Sequence, residues 1–179
     1  MELTFVERVI LANQFKILEK LYPEEADSYS QNREIIEHGY KLHYTEICDY
    51  FFKEMDEENS REVLDILDMY RSFYYSFEEY KKTRDDYLNK KIYFPGFDGN
   101  NETNQLVYAK FFMHKMGRFE ELQHQGAYPD YNTHSLTMHI YIKMLEYWKS
   151  LGDNRFNLSS NDVEWFIKNS LPGSIKNIK

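Results

Sequence analysis

The sequence DGNNE, which begins at Asp98, spaces its carboxylate and amide oxygens as the first half of a calcium-binding EF-hand loop does. Asp98, Asn100 and Glu102 would stand at ligand positions 1, 3 and 5 of that loop. Position 6 would then be Thr103, where the loop needs a glycine, and position 12 would be Ala109, where it needs a bidentate glutamate. We therefore predict that this polar segment caps a following helix and binds no calcium.

A second candidate metal site is the E-x-x-H spacing of Glu121 and His124. Carboxylate-bridged di-iron bundles use two such pairs together with two more inward glutamates, and the sequence contains no second pair. The other histidines show no H-E-x-x-H spacing either. We predict no metal site and no other cofactor.

Other catalytic signatures are also missing from the chain. There is no G-x-S-x-G elbow, no Walker A loop and no G-x-G-x-x-G loop. Cys48 lies among acidic residues, without the positive neighbours that lower a thiol pKa, which indicates a structural thiol. A pair of carboxylates for general acid and base catalysis cannot be identified by spacing among 30 acidic residues. Whether the protein is an enzyme stays open.

Length, composition and charge limit the cellular location and the partners that we expect for this protein. The chain of 179 residues has one cysteine, no signal-peptide pattern and no apolar run of the roughly 20 residues that a membrane helix needs, so we expect a cytoplasmic protein without membrane association. The net charge is −8, although residues 1–79 carry 8 basic and 19 acidic side chains and residues 80–179 carry 14 and 11. Overall acidity makes nucleic acid an unlikely partner, because backbone binding depends on neutralising phosphates.

The first helix is predicted by a capping box, because Thr4 and Glu7 have the T-x-x-E spacing in which each side chain binds the backbone N–H of the other residue. An apolar pattern continues from there to Leu21. On a helical projection, Gln14 falls in the middle of the arc that the apolar side chains occupy. We expect this arc to be buried and Gln14 to bind a neighbouring backbone group. The apolar residues of the arc are Val6, Ile10, Leu11, Phe15, Ile17, Leu18, Leu21 and Tyr22.

The rest of the chain also has helical periodicity, which predicts an all-α fold: a single multihelical domain of about six to eight helices. If the domain divides into two subdomains, we expect them to be joined near residues 81–95. We assign residues 1–169 to the domain and 170–179 to a flexible basic tail. Residues 118–133 are expected to form a long ordered loop. The later helices are predicted over residues 23–39 and 42–55, from the acidic run 55–60 to an end inside residues 78–91, from an N-cap at Asp98, Asn100 or Asn101 to Gly117, over residues 135–151, and from 159 or 160 onward.

Six blocks follow one another along the chain: RVILANQFKILEKL, IIEHGY, EVLDILDMY, GFDGNNE, GRFEE and YNTHSLTMHIYIKMLEYW. Together they resemble the YfbU family, also called UPF0304, of small bacterial proteins. The resemblance covers residues 1–169. It implies a mostly helical cytoplasmic protein without an established biochemical activity, for which a link to stress-related cell death has been suggested.

The resemblance also indicates which positions matter. The shared pattern includes glycines and helix-capping residues, which the backbone conformation explains, and polar residues that it does not explain. We take six polar residues, some of them from this pattern, as candidate binding residues: Gln14, Tyr40, Asp98, Arg118, Asn132 and His134.

These observations favour a non-enzymatic regulatory or protein-interaction module that self-associates as a homo-oligomer. We expect aromatic residues of the fourth and sixth predicted helices at its interface. One alternative is an enzyme of unassigned class whose polar site forms where Gln14, Arg118, Asn132 and His134 converge beside residues 94–102. A second alternative is an RNA-binding protein that uses the Tyr, Lys and Arg side chains of the second half.

Overall fold

The computed structural model describes residues 1–48, 51, 53–123 and 130–177. Within them the all-α prediction is confirmed, with one small antiparallel sheet in addition. The chain divides into two compact units, Met1–Glu54 and Met55–Lys179. The helices are α1 (Phe5–Leu21), α2 (Ala26–His38), α3 (Glu57–Tyr80), α4 (Thr103–Lys110), α5 (Met138–Ser150) and α6 (Ser160–Asn169), and the strands are β1 (Lys90–Ile92) and β2 (Ile175–Asn177).

The N-terminal unit is built on the helix pair α1 and α2. The predicted capping box is present: the Thr4 hydroxyl accepts from the backbone N–H of Glu7, and the Glu7 carboxylate accepts from the backbone N–H of Thr4. Helix α2 ends at Gly39, which adopts the left-handed conformation with φ of +72°. The buried apolar residues of this unit are Ala12, Phe15, Ile36, Tyr44 and Ile47.

The prediction of a third helix over residues 42–55 is wrong. The chain forms two short 3₁₀ turns there, Lys41–His43 and Glu46–Cys48, while residues 49, 50 and 52 lie outside the described part. Tyr44 and Ile47 both reach the core of the unit. Their spacing of three residues fits a series of tight turns as well as it fits an α-helix, so periodicity could not separate the two.

Helix α3 is the central element of the C-terminal unit. It begins at Asp56, whose carboxylate accepts from the backbone N–H of Asn59 at 2.8 Å. Its apolar residues follow the 3, 4, 7 spacing that predicts one buried helix face, and this face is buried in the structure, with Tyr74 half-buried at its edge. Helices α4, α5 and α6 and strand β1 all pack against α3. The fully buried residues of this face are Val63, Ile66, Leu67, Tyr70, Phe73 and Phe77.

Of the remaining helices, α6 begins where we predicted, and α5 begins three residues later than the predicted residue 135. Helix α4 continues into one π-helical turn, Phe111–Lys115, ahead of Gly117. Helix α6 begins with a second capping box, formed by Ser159 and Asp162. In the predicted loop 118–133, the described residues include a 3₁₀ turn, Glu120–Leu122, whereas residues 124–129 lie outside the described part.

The C-terminal segment differs from the flexible tail that we expected after residue 169. Residues Ile175–Asn177 form β2, which pairs antiparallel with β1 and places Ile175 opposite Ile92. Ser174 is buried, and its Oγ lies 3.0 Å from the hydroxyl oxygen of Tyr70 on α3. This pairing also places residues 81–95 inside the C-terminal unit. The boundary between the units therefore lies at Glu54 and Met55 and not near residues 81–95.

Candidate functional site

Three of the predicted binding residues meet where the segment after β1 runs beside the segment before α5. The backbone of Phe97 pairs with that of Asn132 in a parallel bridge. The Oδ1 atom of Asn132 accepts from the backbone N–H groups of Gly99 and His134, each at 2.9 Å. Asp98 is buried in the same junction. We call residues 96–102 and 131–138 the loop junction.

Two glycines allow the segments of the loop junction to approach so closely. Gly96 has φ of +102°, and a Cβ atom there would lie 1.7 Å from the carbonyl oxygen of Tyr131. A Cβ atom on Gly99 would lie 2.5 Å from Nδ2 of Asn132. A side chain at position 96 would therefore require the Tyr131 backbone to shift, and one at position 99 would displace the Asn132 side chain.

Glu102 is the central acceptor of the loop junction, although we did not predict it as a binding residue. Its side chain accepts from the backbone N–H groups of Asp98, Thr137 and Met138 at 2.8–2.9 Å and from the Thr137 hydroxyl at 2.6 Å. Burial acts to raise the pKa of this carboxyl, but the hydrogen bonds outweigh burial and the pKa lies below its ordinary value. Glu102 thus stays ionised and caps the start of α5.

Asp98 does not cap the helix that follows residue 101, although we predicted that this segment would. The carboxylate of Asp98 accepts from the backbone N–H of Asn100 and from the side-chain amide of Asn101, so it closes its own turn. The hydrogen bond from Asn101 and that from Asn100 lower the pKa of Asp98. Helix α4 begins at Glu102 with no side-chain cap. The segment is a corner, as expected, but it caps α5 through Glu102.

Aromatic side chains fill the space beneath the loop junction. The Tyr141 hydroxyl donates to the carbonyl oxygen of Gly96 at 2.7 Å, and burial raises the pKa of Tyr141 well above its ordinary value.

We expected aromatic residues of the fourth and sixth predicted helices to lie at an interface. This expectation is wrong for most of them, because they form the core of this unit. Tyr75 is exposed, whereas the buried residues are Tyr70, Phe73, Phe77, Tyr141 and Trp148.

The other predicted binding residues lie elsewhere. Arg118 is exposed and makes no hydrogen bond or ion pair with Asn132 or His134. Tyr40 is half exposed and stacks on His38 with ring centroids 5.3 Å apart. Gln14 and Tyr40 belong to the N-terminal unit and the other candidates to the C-terminal unit. The convergence of Gln14 with Arg118 and Asn132 stays a prediction.

The E-x-x-H candidate is only partly described. Glu121 accepts from Nε of Arg71 at 2.5 Å, and the Arg71 guanidinium lies 3.9 Å from the centre of the Phe119 ring. His124 lies outside the described residues. In the described ranges, no group of three His, Cys, Asp or Glu side chains is arranged to hold a metal ion. No helix in these ranges has both the length and the apolar character of a membrane span.

The exposed side of α1 is the surface that the sequence assigned to the core. The predicted apolar arc divides into two parts. Leu11, Phe15 and Leu18 face α2 and the small core, whereas the other side of the helix faces away from it. We call that side, with its large apolar residues, the α1 face; these residues are Val6, Ile10, Ile17 and Leu21, all more than half exposed.

Gln14 lies beside this face and is exposed, so our expectation that it is buried and bound to a backbone group is wrong. The physical reason is the width of the arc. An apolar arc of about 180° is wider than the roughly 100° stripe that one packed neighbour covers. The sequence could not show which half α2 covers.

Comparison with known proteins connects both units to one family. The YfbU domain family matches residues 1–168. The chain belongs to the YfbU family. A UPF0304 protein of Methanocaldococcus jannaschii is 32% identical over 163 residues, which cover 90% of this chain and 96% of the relative. The YfbU match includes the α1 face and the loop junction, and it confirms the resemblance that the six sequence blocks indicated.

Proposed function

We propose that this YfbU protein is a non-enzymatic interaction module that self-associates through the α1 face. In this proposal it acts in the cytoplasm in a regulatory role, which the family resemblance associates with stress-related cell death. The observation that carries the proposal is the exposure of four large apolar side chains along one side of a single helix.

A contiguous apolar surface of this kind supports an interaction function. Exposed apolar residues are common when they are scattered, but a continuous patch marks a surface that a partner covers. Burying it gains about 25 cal/mol for each Å² of apolar surface removed from water. Among its described residues, the N-terminal unit buries five apolar residues in a small core, so an added interface would contribute to its stability.

The loop junction favours a structural role over a catalytic one. All the hydrogen bonds described for its buried carboxylate, Glu102, end on the chain itself. A general acid or base needs a proton that a substrate can reach and a pKa near the working pH. Glu102 offers neither, because it is buried and its pKa is lowered.

Native mass spectrometry of the untagged protein tests this proposal, together with light scattering after gel filtration. We expect a discrete homo-oligomer without additional bound mass. The double variant Ile10→Glu/Ile17→Glu should be monomeric at the same concentration, because it places charge on the α1 face. Its matched control is Ile142→Glu, which changes a partly exposed isoleucine on α5 and should leave the oligomer intact.

Three results would contradict this proposal. They are a monomeric wild-type chain, an oligomer that survives the double substitution, and a mass increase that identifies a bound metabolite. The last result would support the enzyme alternative. Bound oligonucleotide that is released as salt rises would support the RNA-binding alternative.

A further inference from the structure

We infer that the α1 face is covered by α1 of a second copy of this chain, packed antiparallel, with a two-fold axis that passes between Asn13 and Gln14. This inference rests on the proposed self-association and adds its geometry. The evidence is the order of side chains along the α1 face and the exposure of each one.

The α1 face is symmetric about its midpoint. Val6 and Leu21 lie at equal distances from the point between residues 13 and 14, and Ile10 and Ile17 lie at equal shorter distances. Their exposures match in the same pairs, at 65% and 64% for the outer pair and 51% and 58% for the inner pair. A two-fold rotation reverses the helix, so it brings the outer pair together across the interface and the inner pair likewise.

The two polar residues at the midpoint fit this arrangement. On a helical projection Asn13 and Gln14 border the apolar stripe on opposite sides. A two-fold axis between them places each amide beside its own copy. Because an amide has both a donor and an acceptor, it can pair with an identical amide. Both residues are exposed, and neither side chain has a hydrogen-bond partner within the part of the chain that the structure describes.

This pattern favours a second copy over an unrelated partner. After the two-fold rotation, apolar side chains meet apolar side chains and amides meet amides, so this surface is complementary to its own copy, as an isologous dimer requires. Polar residues at a helix interface also set register and orientation, at some cost in stability. No charged side chain lies within the stripe. The four apolar side chains supply on the order of half of the roughly 800 Å² that each partner of a stable dimer buries.

Cysteine cross-linking tests the orientation. Ile10→Cys and Ile17→Cys are each introduced into a Cys48→Ser chain, which removes the native thiol. After mild oxidation, the mixture of the two variants should form a mixed disulfide dimer much faster than either variant forms one alone. Fast dimer formation by each variant alone would show a parallel pair and would overturn the inference.

Charged side chains at position 14, beside the two-fold axis, give a second test of the arrangement. Gln14→Glu and Gln14→Lys should each weaken the homodimer by about 10-fold or more in Kd, because each charge faces its own copy. A mixture of the two should recover dimers that contain one chain of each. The matched control is Gln31→Glu on the exposed surface of α2, which should leave the dimer unchanged.

The two proposals fail in different ways. A monomeric wild-type chain overturns the proposed self-association and this inference together. A stable dimer that tolerates both charges at position 14, with folding verified by circular dichroism, overturns the two-fold arrangement alone.

Discussion

The two units differ in where they place their apolar side chains. Among the residues that the structure describes, 24 apolar residues of the C-terminal unit form one core around α3, whereas five form the core of the N-terminal unit. The exposed large apolar residues show the opposite distribution, with 11 in the described part of residues 1–54 and 8 in the described part of residues 55–177. The C-terminal unit therefore buries most of its described large apolar side chains, and the N-terminal unit leaves more of its own exposed.

Polar side chains differ between the units in the same way. Glu102 in the C-terminal unit is buried and bonded to three residues of the chain. Gln14 in the N-terminal unit is exposed, and the described structure gives its side chain no partner. Glu102 therefore contributes to the fold through its hydrogen bonds, whereas Gln14 contributes to association in our proposal. Substitutions in the two units should therefore affect different measurements.

The largest expected effect on stability is that of Glu102→Ala. The change leaves the backbone N–H groups of Asp98, Thr137 and Met138 without their acceptor in a buried site. We expect the free energy of unfolding to fall by about 3–5 kcal/mol in urea denaturation. Gln31→Ala on the exposed surface of α2 is the control in the N-terminal unit and should change it by less than about 0.5 kcal/mol. Similar losses for both would remove the difference between the units.

A pair of glycine substitutions compares backbone packing in the two units. Gly96→Ala should cost about 3 kcal/mol, because its Cβ meets the backbone of Tyr131 and its φ is positive. Gly39→Ala should cost about 1–2 kcal/mol, since its φ of +72° strains alanine but the nearest atoms belong to the Arg8 side chain and not to the backbone. Chemical denaturation of both variants measures the difference. Equal costs would contradict the tighter packing of the C-terminal unit.

The stability of the C-terminal unit should also depend on the ionised form of Glu102. Because its folded pKa is lowered, its contribution is fully present above the unfolded pKa of about 4.3 and is lost as pH falls through the folded pKa. Glu102→Gln should cost about 2 kcal/mol at neutral pH. Its urea midpoint should fall less steeply than that of the wild type below about pH 4.3. Parallel pH profiles would show that Glu102 does not contribute in this way.

The smallest effects on stability are expected for two of the predicted binding residues, Asn132 and Arg118. Asn132→Ala removes the acceptor for the backbone N–H groups of Gly99 and His134 and should cost about 1–2 kcal/mol. Arg118→Ala removes an exposed side chain and should change stability by less than about 0.5 kcal/mol. Neither should alter the oligomeric state measured by light scattering. A change of oligomer in the Arg118 variant would move the association surface into the C-terminal unit.

The loop junction shows how far the sequence could predict the candidate site. The segment GFDGNNE was expected to be a corner, and Asp98, Asn132 and His134 do lie in one junction. The role of Glu102 was missed, because its partners Thr137 and Met138 follow it by more than 30 residues. A hydrogen bond across that separation has no local spacing that a sequence pattern could reveal.

Local interactions explain what the sequence determined by itself. The capping box at Thr4 and Glu7, the left-handed end of α2 at Gly39 and the apolar face of α3 depend on neighbours within one or two helical turns. These features, with the family match, establish the helical fold. Each could be read from residues only a few positions apart.

The tertiary structure decided which of those local patterns are buried. The sequence shows an apolar arc on α1, but only the position of α2 shows that Phe15 is covered while Ile10 and Ile17 remain exposed. In the same way, β2 forms because β1 lies beside residues that were expected to be a tail. Burial depends on which segments meet in space, and periodicity along one helix carries no information about its neighbours.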